Sequence, residues 1–180
     1  MKIYLMRHGK VDFKWESFYT SEAFDRACAE YDQADILPVE KQELDLDAVK
    51  TVYVSGLKRT AQTAQIIFPD KQMVCLEMIH EVPLRSAFDT TKQIPLFCFN
   101  VLGRMQWLLG NTRQPEIRRQ TLKRARKALE TVAQKQEDCI LVTHGFFMKS
   151  LMKELKNMGF KVEKAHVFLS NLEVVTATKE

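Results

Sequence analysis

Apolar positions in this chain fall into short β-rich runs separated by stretches of helical period. Lys2–Met6 is such a run, stopped by charged residues and Gly9, and it predicts a first strand. Val11–Tyr19 is aromatic but aperiodic and reads as a loop. Ser21–Tyr31 predicts a helix with Ser21 as its N-cap. Ile36–Leu46 contains Pro38 and is irregular. Thr51–Val54, β-branched and aromatic, predicts a second strand. After a Ser55-Gly56 turn, Leu57–Phe68 predicts a helix ended by Pro69. Met73–Leu76 predicts a third strand, and Glu77–Asp89, with Pro83 inside it, a loop.

Lys92–Gly110 is apolar and helical, with Gly110 as its stop. Pro115–Gln136 predicts the longest helix. Pro115 suits its first turn, and Ile117, Thr121, Leu122, Ala125, Leu129 and Val132 form one stripe. Cys139–Val142 predicts a fourth strand and Phe146–Leu155 a helix. Val167–Leu169 and Glu173–Thr176 predict two last strands about a Ser170-Asn171 turn. Strands that alternate with helices predict an α/β fold. The expected form is a three-layer sandwich with a mainly parallel central sheet and helices on both faces. One domain over residues 1–180 is expected, with the region 77–112 either a small helical cap or part of the sandwich.

Composition narrows the class. A chain of 180 residues can bury a sizeable core, and 46% hydrophobic with 28% charged residues excludes a disordered chain. The net charge of +4 suits an anionic substrate but falls short of a dedicated nucleic-acid binder. The basic run Arg118, Arg119, Lys123, Arg124, Arg126 and Lys127 lies opposite the apolar stripe and reads as a solvated face. Cys28, Cys75, Cys98 and Cys139 form no CxxC pair, so reduced thiols in a cytoplasmic setting are expected. Cys75 and Cys139 sit in apolar runs and are expected to be buried. The run before Arg7 is too short for a secretory signal, and Ile94–Leu109 is too short and too interrupted to cross a membrane. Phe97, Phe99, Met105 and Trp107 are expected in core, cap or dimer packing; a monomer or a homodimer is expected.

In a parallel sheet, ligands bind beyond the carboxyl ends of the strands. Three strand ends here carry residues suited to phosphate: Arg7-His8-Gly9, Ser55 leading to Arg59, and Thr143-His144-Gly145. His80-Glu81 follows the third strand. Arginine forks match phosphate oxygens, so Arg7 and Arg59 are candidate phosphate ligands. An imidazole can attack phosphorus without a metal, and Glu81 is the carboxyl group placed to protonate a leaving oxygen. Each residue has an ordinary alternative: Arg59 as a solvated side chain, Glu81 as a surface residue, His144 as a polar strand end, and His80 and His166 as structural histidines. The set gains weight because its members fall at equivalent places in the α/β pattern. A metal site of His8, Asp12, Glu81 and His144 is disfavoured, since the two arginines would repel a divalent cation.

Leu5-Met6-Arg7-His8-Gly9 resembles the signature of the histidine phosphatase superfamily, which includes phosphoglycerate mutase-like phosphatases. Ser55-Gly56-Leu57-Lys58-Arg59-Thr60-Ala61-Gln62-Thr63-Ala64 resembles its second motif and Val142-Thr143-His144-Gly145 its third. Glu81 stands where the family places its acid. The resemblance implies a phosphomonoester hydrolase acting through a phosphohistidine on His8. Arg7, Arg59 and His144 would bind phosphate, with His144 able to carry charge. Glu81 would be the acid and then the base. No metal or organic cofactor is implied. The substrate would be a small phosphorylated metabolite or a phosphoprotein. Lys10-Val11-Asp12 departs from the acidic residue or Gln followed by Thr or Ser common after Arg-His-Gly, which bears on the substrate more than on the chemistry. The short chain lacks the substrate-specifying segments of the mutases. Two other readings remain: a catalytically retired phosphate-binding or protein-partner module of the same fold, and a basic nucleic-acid binder resting on the long helix alone.

Overall fold

Six of the chain's strands form one sheet, in the order β4-β3-β6-β1-β8-β7. The structure is a computed structural model and describes residues 1–40, 44, 46–163 and 169–179. The sheet strands are β1 (Lys2–Arg7), β3 (Thr51–Val54), β4 (Gln72–Cys75), β6 (Cys139–Thr143), β7 (Lys161–Glu163) and β8 (Val174–Thr178). β2 (Phe18–Tyr19) and β5 (Ile94–Pro95) pair separately. The helices are α1 (Ser21–Gln33), α2 (Lys58–Ile67), α3 (Leu96–Leu109), α4 (Arg118–Ala133) and α5 (Gly145–Asn157). β4, β3, β6 and β1 run parallel, while β8 is antiparallel to β1 and β7 to β8.

Alternation along the strands divides the core in two. Ile3, Leu5, Leu141, Val175 and Ala177 point to one face, where Ala125, Leu129 and Val132 of α4 and Phe147 and Leu151 of α5 cover them. Met6, Val52, Val54, Ile140 and Val142 point to the other, against Ala64 and Ile67 of α2. Helices therefore lie on both faces of a mainly parallel sheet, as the sequence predicts. A third cluster joins Tyr19, Phe24 and Ala27 to Phe99, with the Phe24 and Phe99 rings stacked at 4.8 Å. This contact seats α3 on α1. At its far end Trp107 donates to Thr121 of α4 at 2.9 Å. Phe99 is core as expected, whereas Phe97 and Met105 are exposed.

Several boundaries differ from the sequence reading for local reasons. Thr20 caps α1, accepting from the Ala23 N–H at 3.2 Å, while the Ser21 hydroxyl donates to the Thr90 carbonyl. α3 starts only after Pro95, since the residue before a proline avoids helical backbone; Ile94–Pro95 pairs with β2 instead. It ends at Gly110, whose φ of 79° is left-handed. α4 starts at Arg118, beyond Pro115, where the Gln120 side chain accepts from the Ile117 N–H at 2.9 Å. On α4 the buried stripe takes in Ala128, and Leu122 is only half-buried. β7 has no apolar run to announce it. Cys75 is exposed because β4 is an edge strand, while Cys139 is buried and its thiol is pushed up to about 12 by burial. His166 and most of the expected strand Val167–Leu169 lie outside the described residues. Among the described residues no helix is long and apolar enough to cross a membrane.

Candidate active site

The parallel register sets Arg7 beside Thr143 and Val54 beside Val142, so β1, β3 and β6 end at one rim. The next residues are His8, Ser55 and His144. His8 is buried, its N–H donating to the Thr143 carbonyl at 2.9 Å and its own carbonyl accepting from Asn171 Nδ2 at 2.8 Å. Its ring Nδ1 lies 2.7 Å from the Gly9 carbonyl. A carbonyl only accepts, so Nδ1 bears the proton and Nε2 keeps its lone pair. Burial, together with the charges of Arg59 and Arg7, lowers the His8 pKa to about 3, against the raising effect of the Gly9 hydrogen bond.

His144 lies with its ring centre 5.1 Å from that of His8. Arg59 Nε donates to its Nδ1 at 3.2 Å, which leaves the proton on Nε2, 2.8 Å from Ser55 Oγ. Burial first, then the Arg59 charge, lowers its pKa well below the usual histidine range. The ring is neutral here, unlike the charged His144 allowed for from the sequence, and both nitrogens are occupied by protein.

Arg59 enters from the first turn of α2 and is 1% exposed. Its Nη1 donates to Asp32 Oδ1 at 3.0 Å, and its face lies 5.0 Å from the centre of the Tyr31 ring. Thr63 ties α2 to the first motif, accepting from the Gly9 N–H at 2.8 Å and donating to the Arg59 carbonyl at 2.6 Å. Arg7 Nη1 donates to the Leu169 carbonyl at 2.6 Å; its Nε is buried and has no protein partner among the described residues. The guanidinium lies against Gly145. A Cβ there would stand 2.9 Å from Arg7 Nε and 3.1 Å from Cζ, so the start of α5 must be glycine for Arg7 to lie as it does.

Glu81 follows a short 3-10 turn, Glu77–Ile79. Its Oε1 accepts from the N–H groups of Val82 and Phe147, each at 2.9 Å, and Oε2 from Phe146 at 3.3 Å. The carboxylate thus sits at the N-terminus of α5, where exposed N–H groups favour an anion. The segment before it is fastened at three carbonyls. Arg124 Nη1 donates to Met78 and His80, each at 2.9 Å, and Thr143 Oγ1 to Ile79 at 2.7 Å. Glu116 grips Arg124 through two bonds of 2.9 and 2.7 Å, and the Arg124 guanidinium lies 4.2 Å from the centre of the Phe147 ring. Arg124 is therefore a largely buried anchor, not a member of the solvated basic face.

These groups border a cleft of about 1060 Å³ lined by Arg7, Arg59, His80 and Glu81, with α1 and α3 as further walls. Behind its wall Arg59 joins the buried pair His144 and His8, which do not themselves line the cleft, and Arg7 and Glu81 lie at the start of α5. Asp12 stands apart: its N–H donates to the Asp35 carbonyl, and Val11 bridges to Ile36. Among the described residues no group of three or more His, Cys, Asp or Glu is arranged to hold a metal ion. Sequence reasoning did not find Tyr31, Asp32, Asn171 or Arg124. The first three reach the site through tertiary packing that leaves no local mark. Arg124 does leave one, since it lies three residues from Thr121 and four from Ala128, on the margin of the buried stripe.

A three-layer α/β protein with two histidines and two arginines gathered at the carboxyl rim of its sheet defines a narrow structural class. The chain belongs to the histidine phosphatase superfamily (branch 1), whose family profile matches residues 3–178. No curated protein sequence matches it. Similar solved structures include a mutant phosphoserine phosphatase from Entamoeba histolytica in complex with phosphoserine, at 17% identity over 97% of this chain and 89% of that one, with a TM-score of 0.60. A mycobacterial glucosyl-3-phosphoglycerate phosphatase matches at 16% identity over 97% and 88%, TM-score 0.57. The product of a Mycobacterium tuberculosis open reading frame matches at 14% over 99% and 91%, TM-score 0.61. At these identities the likeness is one of fold.

Proposed function

We propose that this protein is a phosphatase that takes the phosphoryl group of a phosphomonoester onto His8 and passes it to water. The observation that carries the reading is the state of the His8 ring: neutral, with its proton fixed on Nδ1 toward the Gly9 carbonyl and a lone pair on Nε2, beside Arg59 and Arg7. In the first half, Nε2 forms a bond to phosphorus while the ester P–O bond breaks. Glu81, protonated, gives its proton to the departing alkoxide. Oε2 suits that task, since its one contact among the described residues is the 3.3 Å bond from Phe146. In the second half the Glu81 carboxylate takes a proton from water, the water oxygen bonds to phosphorus and the N–P bond breaks. Arg7, whose Nε has no partner among the described residues, and Arg59 stabilise charge on the transferring group. His144, with both nitrogens occupied, positions the Arg59 guanidinium.

A catalytically retired phosphate binder would keep the arginines but has no use for a proton-fixed histidine or for the three-point anchor under Glu81. The separating experiment is a screen of phosphomonoesters with trapping of the phosphoenzyme. Turnover that vanishes in His8→Ala is expected. Phosphate binding without turnover of any ester would establish the retired module instead.

A further inference from the structure

Arg104, on α3, lines the same cleft and is engaged by little of the protein. It has five N–H donors. Among the described residues one bond is made, from Nη1 to the Val82 carbonyl at 3.1 Å. Its guanidinium plane rests on the Phe146 ring, 3.9 Å from the ring centre. Among the described residues it has no ion pair, although eight other lysines and arginines do. Burial lowers its pKa, and the charge that most opposes this is Glu81. That carboxylate already accepts three backbone N–H groups. Lys149, one turn further along α5, faces the same cleft with its Nζ 5.5 Å from the centre of the Phe146 ring, and it too has no acidic partner among the described residues.

A partly buried guanidinium with most of its donors open to a cleft is costly unless an anion completes it. Arg7 and Arg59 supply the cations for the transferring phosphoryl group. Arg104 and Lys149 lie by Phe146, at the turn of α5 that Glu81 caps, which is the leaving-group side of the reaction proposed above. We infer that Arg104, with Lys149, forms a second anion subsite, and that the substrate is a phosphomonoester whose leaving group bears a further anionic group, a carboxylate or a second phosphate. This rests on the phosphatase reading of the cleft and adds the substrate class to it.

The test uses phosphoglycolate and its next two longer homologues, each beside its carboxamide, with the corresponding diol bisphosphates as a parallel arm. Affinities are measured by calorimetry on His8→Ala, which holds the esters intact, and on His8→Ala with Arg104→Gln or Arg104→Lys. At least one carboxylate or bisphosphate is expected to bind roughly 10- to 100-fold more tightly than its uncharged counterpart, the range of a charged hydrogen bond. Arg104→Gln should remove that preference and Arg104→Lys restore part of it. The arm with the larger preference identifies the anion. Equal affinity of charged and uncharged probes throughout, or a preference that survives Arg104→Gln, overturns the subsite. If wild-type protein shows the charge preference in binding but forms no phosphoenzyme, the phosphatase reading fails while the subsite stands.

Discussion

The two rim histidines set the pH behaviour of the fold. In an unfolded chain each titrates near its ordinary value of 6.5; in the folded protein burial holds His8 near 3 and His144 well below 6.5. Between those values the unfolded state binds a proton that the native state does not. Stability is therefore full above pH 6.5 and declines as pH falls toward 3, by up to about 1.4 kcal/mol per pH unit for each histidine. Urea midpoints measured from pH 7.5 down to pH 4 should show this decline, and His8→Gln should reduce its slope. An unchanged slope in the variant would mean that His8 is not held neutral by its burial. The same property keeps the nucleophile unprotonated at neutral pH, so His8 itself imposes no acidic limb on the rate above about pH 4.

At the scale of elements, the acid is placed by α4 as much as by its own loop. Arg124 joins α4 to the carbonyls of Met78 and His80, and Glu116 fixes Arg124. Removing the guanidinium leaves Glu116 buried without its partner, which typically costs about 3–5 kcal/mol. Arg124→Met should thus lower the melting temperature. Arg124→Lys keeps the charge but cannot bond Glu116 twice and the two carbonyls at once. It should slow phosphorylation by alkyl phosphates more than by p-nitrophenyl phosphate, because only the alkyl leaving group needs its proton from Glu81. Burst-phase rates for both esters read that ratio. An equal loss on the two would reduce Arg124 to a purely structural role.

Across the whole molecule, what was legible in the sequence is what local pattern encodes. β3 falls on Thr51–Val54 in both accounts, and β1, β6 and α5 shift by one or two residues. Runs buried on both faces announce central strands, and the rim residues follow from where such strands stop. β7 and the β2–β5 pair were not legible, being two or three residues long: β7 has no apolar run, and β2 and β5 lie inside longer stretches read as a loop and a helix. Nor were the partners of Arg59, because Tyr31 and Asp32 meet it only when α1 packs beside α2. The assembled cleft draws its positive charge from arginines and a lysine, so activity should survive exhaustive chelation; a loss reversed by magnesium would contradict that. The most direct test of the phosphatase reading is a rapid-quench experiment with labelled phosphomonoester. Wild-type protein should accumulate acid-labile, alkali-stable phosphohistidine located by mass spectrometry on His8, and His8→Ala should show none. Label on another residue, or phosphohistidine that still forms in His8→Ala, would contradict it.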